Sequence, residues 1–166
     1  MDTKTVELVK YNLWANARLI DWLESNDEEL IKDECQSSFV TILETVEHIL
    51  NGQILYFSTL LETEYVKSQN ISIRDSYDKL LEQSKTFVKY VESQNTLNTL
   101  RFFKYGHLKG QFPQYELIQH CVNHSTFHRG QIITMAHQLR LTKAPSTDML
   151  FYFIEREKPL KQNLNS

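Results

Sequence analysis

The chain has 166 residues, of which 41% are hydrophobic, which predicts one domain with its own core. Its two cysteines fit a reducing compartment. Its 18 basic and 21 acidic residues give a formal net charge of −3, which argues against nucleic acid or an anionic membrane as the main partner. No apolar run approaches the roughly 20 residues that span a bilayer, and no signal-peptide pattern opens the sequence, so we expect a cytoplasmic protein without a membrane partner.

Long helices are the predicted elements of the first half, because only four glycines and three prolines interrupt the whole chain. The first helix covers about residues 3–24, where apolar side chains recur at three-to-four spacing. A break and a connection follow, and Ser38 is the expected cap of a second helix at about 39–63. Ser72 and Asp75 resemble a capping box that opens a third helix, which should end near Glu92.

The second half predicts one more long helix and a short one. Residues 100–112 indicate either a short hairpin or an ordered loop, and Pro113 fits the first turn of a fourth long helix at about 114–140. Asp148 and the two residues before it supply caps for a last helix, from Met149 to about Arg156. These elements predict an all-α single domain over residues 1–157, a four-helix bundle with a short additional C-terminal helix, and a polar tail at 158–166.

Two histidines, His124 and His128, lie four residues apart on the predicted fourth helix, and His120 lies one turn earlier. Residues at this spacing share one face of a helix, so two imidazoles can converge on one cation. A rise of roughly 12 Å separates His120 from His128, whereas the ligand nitrogens of one ion lie within roughly 4 Å of each other. The pair is therefore 120 with 124 or 124 with 128, and spacing leaves both open.

A third imidazole can come from His48, on the inward side of the second helix. Three neutral imidazoles suit a zinc-like ion and leave one coordination position for water or substrate, which is the arrangement of catalytic sites. Cys121 lies one turn before His124 and is either a fourth ligand or a packed core thiol. His107 and His137 are predicted to lie at the surface.

Four motifs occur in order along the chain, and with them it resembles the DinB-like family, which includes the YfiT-like metal-dependent hydrolases and the bacillithiol and mycothiol S-transferases. The motifs are Tyr11-Asn12-Leu13-Trp14-Ala15-Asn16, Ser38-Phe39 with His48-Ile49-Leu50, Asn123-His124 with His128-Arg129-Gly130-Gln131, and Pro145-Ser146-Thr147-Asp148. The resemblance implies up-down-down-up topology and the metal ligands His48, His124 and His128, with His120 as a neighbour of the site. Tyr56 and Phe57 stand where many relatives carry Trp, which implies a different pocket wall.

The resemblance also implies an activity and a cofactor. The expected ion is zinc, with nickel, manganese or iron as alternatives, and the expected cosubstrate is a low-molecular-weight thiol. The implied reaction transfers this thiol to a small electrophilic molecule, with metal-assisted hydrolysis as a close variant. The alternative is a non-catalytic, stress-related protein that binds a metal or a small molecule. A DNA-binding role is disfavoured by the acidic balance of the chain.

The catalytic residues beyond the ligands are unknown from the sequence. Tyr11, Trp14, Tyr56 and Arg129 are candidates for the pocket wall, and core packing, or a surface ion pair for Arg129, explains them equally well. Homodimers are common among the relatives that the chain resembles, and the aromatic-rich loop at 102–112 is a candidate dimer contact.

Overall fold

The structure, a computed structural model, describes residues 3–69 and 71–158. It contains six helices and one two-stranded sheet within these residues. In chain order the elements are α1 (Thr3–Glu24), α2 (Glu28–Lys32), α3 (Ile42–Leu61), α4 (Ile73–Ser93), β1 (Leu100–Tyr105), β2 (Leu108–Pro113), α5 (Gln114–Gln138) and α6 (Met149–Glu157).

The four long helices enclose the core. Helix α1 packs against α4 and α5, and α3 packs against the same two helices. The apolar stripe of α1 is buried in these contacts, and Ala15 and Leu19 at its centre are fully inaccessible to solvent. The predicted up-down-down-up bundle topology and the domain boundaries remain predictions. The tail at 159–166 lies outside the described residues.

The second long helix begins later than predicted. Thr41, not Ser38, is its N-cap, and the Thr41 hydroxyl accepts a hydrogen bond from the Glu44 N–H. The Glu44 carboxylate in turn accepts from the Val40 N–H, so both side chains satisfy donors that a helix start leaves free. The Ser38 hydroxyl instead accepts a hydrogen bond from Gln131 of α5. This polar contact between distant segments competes with the local capping role.

Other helix ends follow local sequence signals. Ser72 caps α4 as predicted, because its hydroxyl accepts from the Asp75 N–H. Asp148 caps α6 in the same way. The connection after α1 contains the additional short helix α2, which Asp27 caps by accepting from Glu29 N–H. A single turn of helix lacks the repeated apolar spacing that indicates a longer one, so the sequence pattern did not predict α2.

The connection before the fourth long helix is an antiparallel hairpin, so the prediction of a strictly all-α fold is wrong. Strands β1 and β2 pair with Phe103 opposite Gly110, and Gly106 adopts a left-handed conformation, with φ of 57°, in the turn. Phe103 is buried against the helices, whereas Phe102 and Leu108 are largely exposed. The hairpin packs on α3 and α5. The predicted dimer contact at this hairpin remains a prediction.

Among the described residues, none of the helices combines the length and apolarity that a membrane-spanning helix requires.

Candidate metal centre

Three histidine side chains converge between α3 and α5. His48 lies on α3, and His124 and His128 lie one turn apart on α5. The Nε2 atom of His124 lies 2.9 Å from Nε2 of His48 and 3.1 Å from Nε2 of His128. One ring nitrogen from each histidine lies within 4.8 Å of the other two. The structure therefore brings together the three histidines that the sequence pattern and the resemblance indicated.

This set of donors fits a divalent ion of the zinc type. Zinc binds imidazole nitrogen at about 2.0–2.1 Å, so two tetrahedral ligands have their nitrogens about 3.4 Å apart, close to the observed separations. Within residues 3–69 and 71–158, no carboxylate or thiol joins the three imidazoles in a metal-sized group. A tetrahedral ion held by this set has one position left for water or a ligand.

The surroundings keep the three imidazoles neutral. Burial, with smaller effects from His128 and from the positive charge of Lys67, lowers the pKa of His48 to about 4. Burial and the neighbouring histidines lower the pKa of His124 to about 3. Burial also lowers the pKa of His128, although a hydrogen bond to Gln131 opposes this shift. At neutral pH the ring nitrogens therefore carry the free lone pairs that a metal ion requires.

Gln131 fixes the orientation of His128. Its Oε1 atom accepts a hydrogen bond from Nδ1 of His128 at 2.7 Å, so the imidazole proton resides on Nδ1 and Nε2 faces the other two histidines. The Gln131 amide nitrogen donates to the Ser38 hydroxyl at 3.0 Å, which holds the glutamine itself. Ser38 thus acts in the support of the centre rather than as the predicted helix cap.

Gly52 provides the space that the His124 ring occupies. A Cβ atom at position 52 would lie 2.9 Å from Cε1 and 3.1 Å from Nδ1 of His124, closer than van der Waals contact allows. Gly52 lies one turn after His48 on α3, in the interior of the helix, where glycine costs about 1 kcal/mol relative to alanine. Position 52 therefore needs a residue without a side chain, because a larger residue would displace the His124 ring.

We expect Gly52→Ala to weaken zinc binding by about tenfold or more while leaving the metal-free fold equally stable or slightly more stable. The added methyl group displaces the His124 ring, whereas the helix gains propensity. Competition titration with a chromophoric chelator measures the affinity, and thermal unfolding measures stability. Gly130→Ala is the matched control, because a Cβ at position 130 meets nothing within 4 Å. Unchanged affinity in Gly52→Ala would contradict this account of the site.

A cavity of about 970 Å³ opens beside His48 and His124, between α3, α5, the hairpin and the loop after α3. This volume is at the upper end of the range of small-molecule sites. Tyr56 and Phe103 stack on each other in its wall, with ring centroids 5.3 Å apart and planes at 9°. Aromatic side chains supply much of the lining, namely Phe39, Tyr56, Tyr65, Phe103, Tyr105 and Phe112. The arrangement can hold an apolar molecule with one end at His48 and His124.

The other candidate residues lie in the cavity wall, in the core or at the surface. His120 and Tyr56 line the cavity, and the His120 ring lies 6.3 Å from the His124 ring without joining the group of three. Cys121 is a packed core thiol with 1% of its surface exposed, and burial raises its pKa to about 12. His107 and His137 are exposed at the surface, as predicted.

Arg129 has a role that the sequence analysis missed. Its guanidinium is fully buried, and among the described residues no carboxylate pairs with it. It donates to Oδ1 of Asn12 at 2.7 Å and Oδ1 of Asn16 at 2.8 Å. It also donates to the hydroxyls of Thr126 and Tyr11. The alternative of a surface ion pair is therefore wrong, and Arg129 is absent from the cavity lining. Two sequence features could have indicated this role. Arg129 lies on the inward face of its predicted helix, and two asparagines lie one turn apart on the first helix.

Tyr11 and Trp14 also lie away from the cavity. The Tyr11 hydroxyl donates to the backbone oxygen of Thr147, and the Trp14 indole donates to the Glu155 carboxylate. Both side chains thus attach the C-terminal part of the chain to α1. Of the four pocket candidates, Tyr56 alone lines the cavity at the histidines.

These features define a class of protein: long packed helices with a small hairpin, in which three imidazoles converge at the side of a large cavity. The chain belongs to the DinB family, whose family model matches residues 1–158.

Two known proteins show how far the similarity extends. Protein DinB of Bacillus subtilis strain 168 is 29% identical over 164 residues, which cover 90% of this chain and 94% of that protein. The crystal structure of a DinB-like protein from Bacillus cereus ATCC 10987 matches with a TM-score of 0.67 at 20% identity, over 82% of this chain and 91% of that one. The structural similarity supports the fold alone, because a sequence identity of 20% is too low to carry over a function.

Proposed function

We propose that His48, His124 and His128 bind a divalent metal ion and that the protein uses it to activate a small thiol or water for attack on a small electrophilic molecule. One observation carries this proposal: three neutral imidazoles converge beside an open cavity without a fourth protein ligand in the described residues. Zinc is the proposed ion, with nickel, manganese or iron as alternatives. Transfer of a low-molecular-weight thiol is the proposed reaction, and hydrolysis is its close variant.

In the proposed function, the ion, the residues that support its ligands and the cavity walls would each have a separate role. When bound, the ion supplies a positive charge that lowers the pKa of a thiol or water and so makes a nucleophile at neutral pH. Gln131 holds His128 with Nε2 toward the site, and Gly52 lets the His124 ring approach. The aromatic walls orient an apolar substrate and exclude water from it. His120 and Tyr56, whose rings contact each other, are among the polar side chains that line the cavity.

Metal analysis of protein purified without a polyhistidine tag tests the proposal. We expect close to one equivalent of metal per chain in the wild type and a large loss in His48→Ala and His124→Ala. A metal content unchanged in both variants would refute the site. Thiol-dependent consumption of electrophiles, measured across several thiols and metals, tests the reaction. Metal binding without any such turnover would favour the non-catalytic alternative.

We expect the affinity for zinc to change less than about tenfold between about pH 7.5 and about pH 5.5. Because the pKa values of His48 and His124 lie near 4 and 3, below the ordinary 6.5, these rings stay neutral as the pH falls and protons compete with the metal only at lower pH. Imidazoles with the ordinary pKa would lose about tenfold per ligand over this range. Competition titrations at a series of pH values measure the effect. A loss of several hundred-fold by about pH 5.5 would contradict it.

The proposed substrates are small molecules, not nucleic acids or membranes. The predicted cytoplasmic location agrees with it, because low-molecular-weight thiols stay reduced there. The predicted homodimer is not required by the geometry of the three histidines, which all come from one chain.

A further inference from the structure

Lys67 is a positively charged side chain on the cavity wall. It lies in the loop between α3 and α4 and lines the same cavity as His48. Its ammonium group has no hydrogen bond or ion pair with any residue in the described part of the chain. A primary ammonium has three donors, so Lys67 is free to bind an acceptor that a ligand supplies.

Each acidic side chain that lines the cavity accepts a hydrogen bond from a neutral donor. The Glu44 carboxylate accepts from a backbone N–H at the start of α3, and the Glu47 carboxylate accepts from a serine hydroxyl of α4. Glu116 accepts from the hydroxyl of the neighbouring tyrosine, in the first turn of α5. Lys109, on β2, is a second lysine of the lining without a partner among the described residues. The neutral donors leave the carboxylates charged, so the lining carries both signs of charge, and Lys67 and Lys109 supply its positive groups.

Asn51 holds the backbone beside Lys67 in place. The Asn51 side chain accepts a hydrogen bond from the Ser68 N–H at 2.8 Å and donates one to the Ser68 carbonyl at 3.1 Å. It is buried on α3, three residues after His48, and donates a further bond to the Glu47 carbonyl. One amide group thus fastens the residue next to Lys67 to the helix that carries His48. The backbone next to Lys67 on the cavity wall is therefore held to α3.

We propose that Lys67 is a specificity residue and that the cavity selects small organic acids with an apolar or aromatic body. The aromatic walls contact the body, and the Lys67 ammonium pairs with a carboxylate or a similar anionic group. This inference rests on the proposed function, since it names the class of ligand that the same cavity receives. It goes further by assigning the charge of the ligand to one side chain of this chain.

A matched pair of probes, naphthoate and the neutral naphthamide, tests the proposal. Both have the same ring system and differ in charge, and chemical-shift titration of the full-length protein measures their affinities. We expect the wild type to bind naphthoate about fivefold more tightly at low salt, with the preference shrinking as salt is added. Lys67→Met should abolish the preference and Lys67→Arg should retain it. Asn51→Ala should weaken it, because the lysine is then less well positioned.

Lys85→Met is the control, because Lys85 is exposed on α4 and absent from the cavity lining. The titrations are done on metal-free and on zinc-treated protein, which separates this inference from the proposed function. A preference that Lys67 controls in metal-free protein supports the inference whether or not metal binds. A preference that survives Lys67→Met, one seen only with zinc and independent of Lys67, or no saturable naphthoate binding in either form would overturn it.

Discussion

Replacing His124 with alanine is expected to lower the affinity of the protein for zinc by at least about 100-fold. His124 is the central member of the group, since its Nε2 atom is within 3.1 Å of the corresponding atoms of His48 and His128. Loss of a group that only supports a ligand already costs about 10- to 100-fold in affinity, so loss of a ligand costs more. Competition with a chelator of known affinity measures the change.

His120→Ala is the matched control for this prediction. His120 is the same residue type on the same helix, one turn earlier, and its ring lies 6.3 Å from that of His124. We expect this variant to retain zinc affinity within about threefold, since the ring contacts the centre without supplying a ligand. A large loss in His120→Ala with little loss in His128→Ala would instead assign the ligand pair to 120 and 124.

Replacing Arg129 with methionine is expected to lower the free energy of unfolding of the metal-free protein by about 2–4 kcal/mol. The buried guanidinium supplies hydrogen bonds to Asn12 and Asn16, and methionine leaves both amide oxygens without donors inside the core. Release of a buried charge offsets part of this loss, because burial lowers the pKa of Arg129 and so opposes its charged form. Urea denaturation followed by circular dichroism measures the difference.

Arg74→Met is the control for the stability measurement. The Arg74 side chain is 83% exposed and its ion pair with Asp78 is long, at 3.9 Å, so we expect a change within about 0.5 kcal/mol. A loss below about 1 kcal/mol in Arg129→Met would show that the four hydrogen bonds contribute little beyond the cost of burying the charge.

The Arg129 contacts also bear on the group of three histidines. Adjacent residues on a helix point about 100° apart. Arg129 is held by Tyr11, Asn12 and Asn16 on α1, and the preceding residue, His128, faces α3. The network between α1 and α5 therefore fixes the rotation of α5 that directs its two histidines toward His48. The loss of stability in Arg129→Met should be accompanied by weaker metal binding even in the fraction that remains folded.

The sequence by itself determined the features that depend on neighbours within a few turns. The spacing of apolar residues predicted α1 and α5, and Ser72 and Asp148 marked the starts of α4 and α6 through hydrogen bonds to their own backbone. The two candidate pairs from three histidines on α5 also followed from helix geometry alone. Such local interactions are present whatever the rest of the chain does.

The tertiary structure decided the features that need two distant segments to meet. It distinguished hairpin from loop at 100–112, placed the start of α3 at Ile42, and brought His48 to the pair 124 and 128 that spacing had left open. Contacts between distant segments also decide three further features. These are the fit of Gly52 against His124, the buried position of Arg129 and the position of Lys67 at the cavity. Helical periodicity gives the face on which a residue lies, whereas packing decides which faces touch.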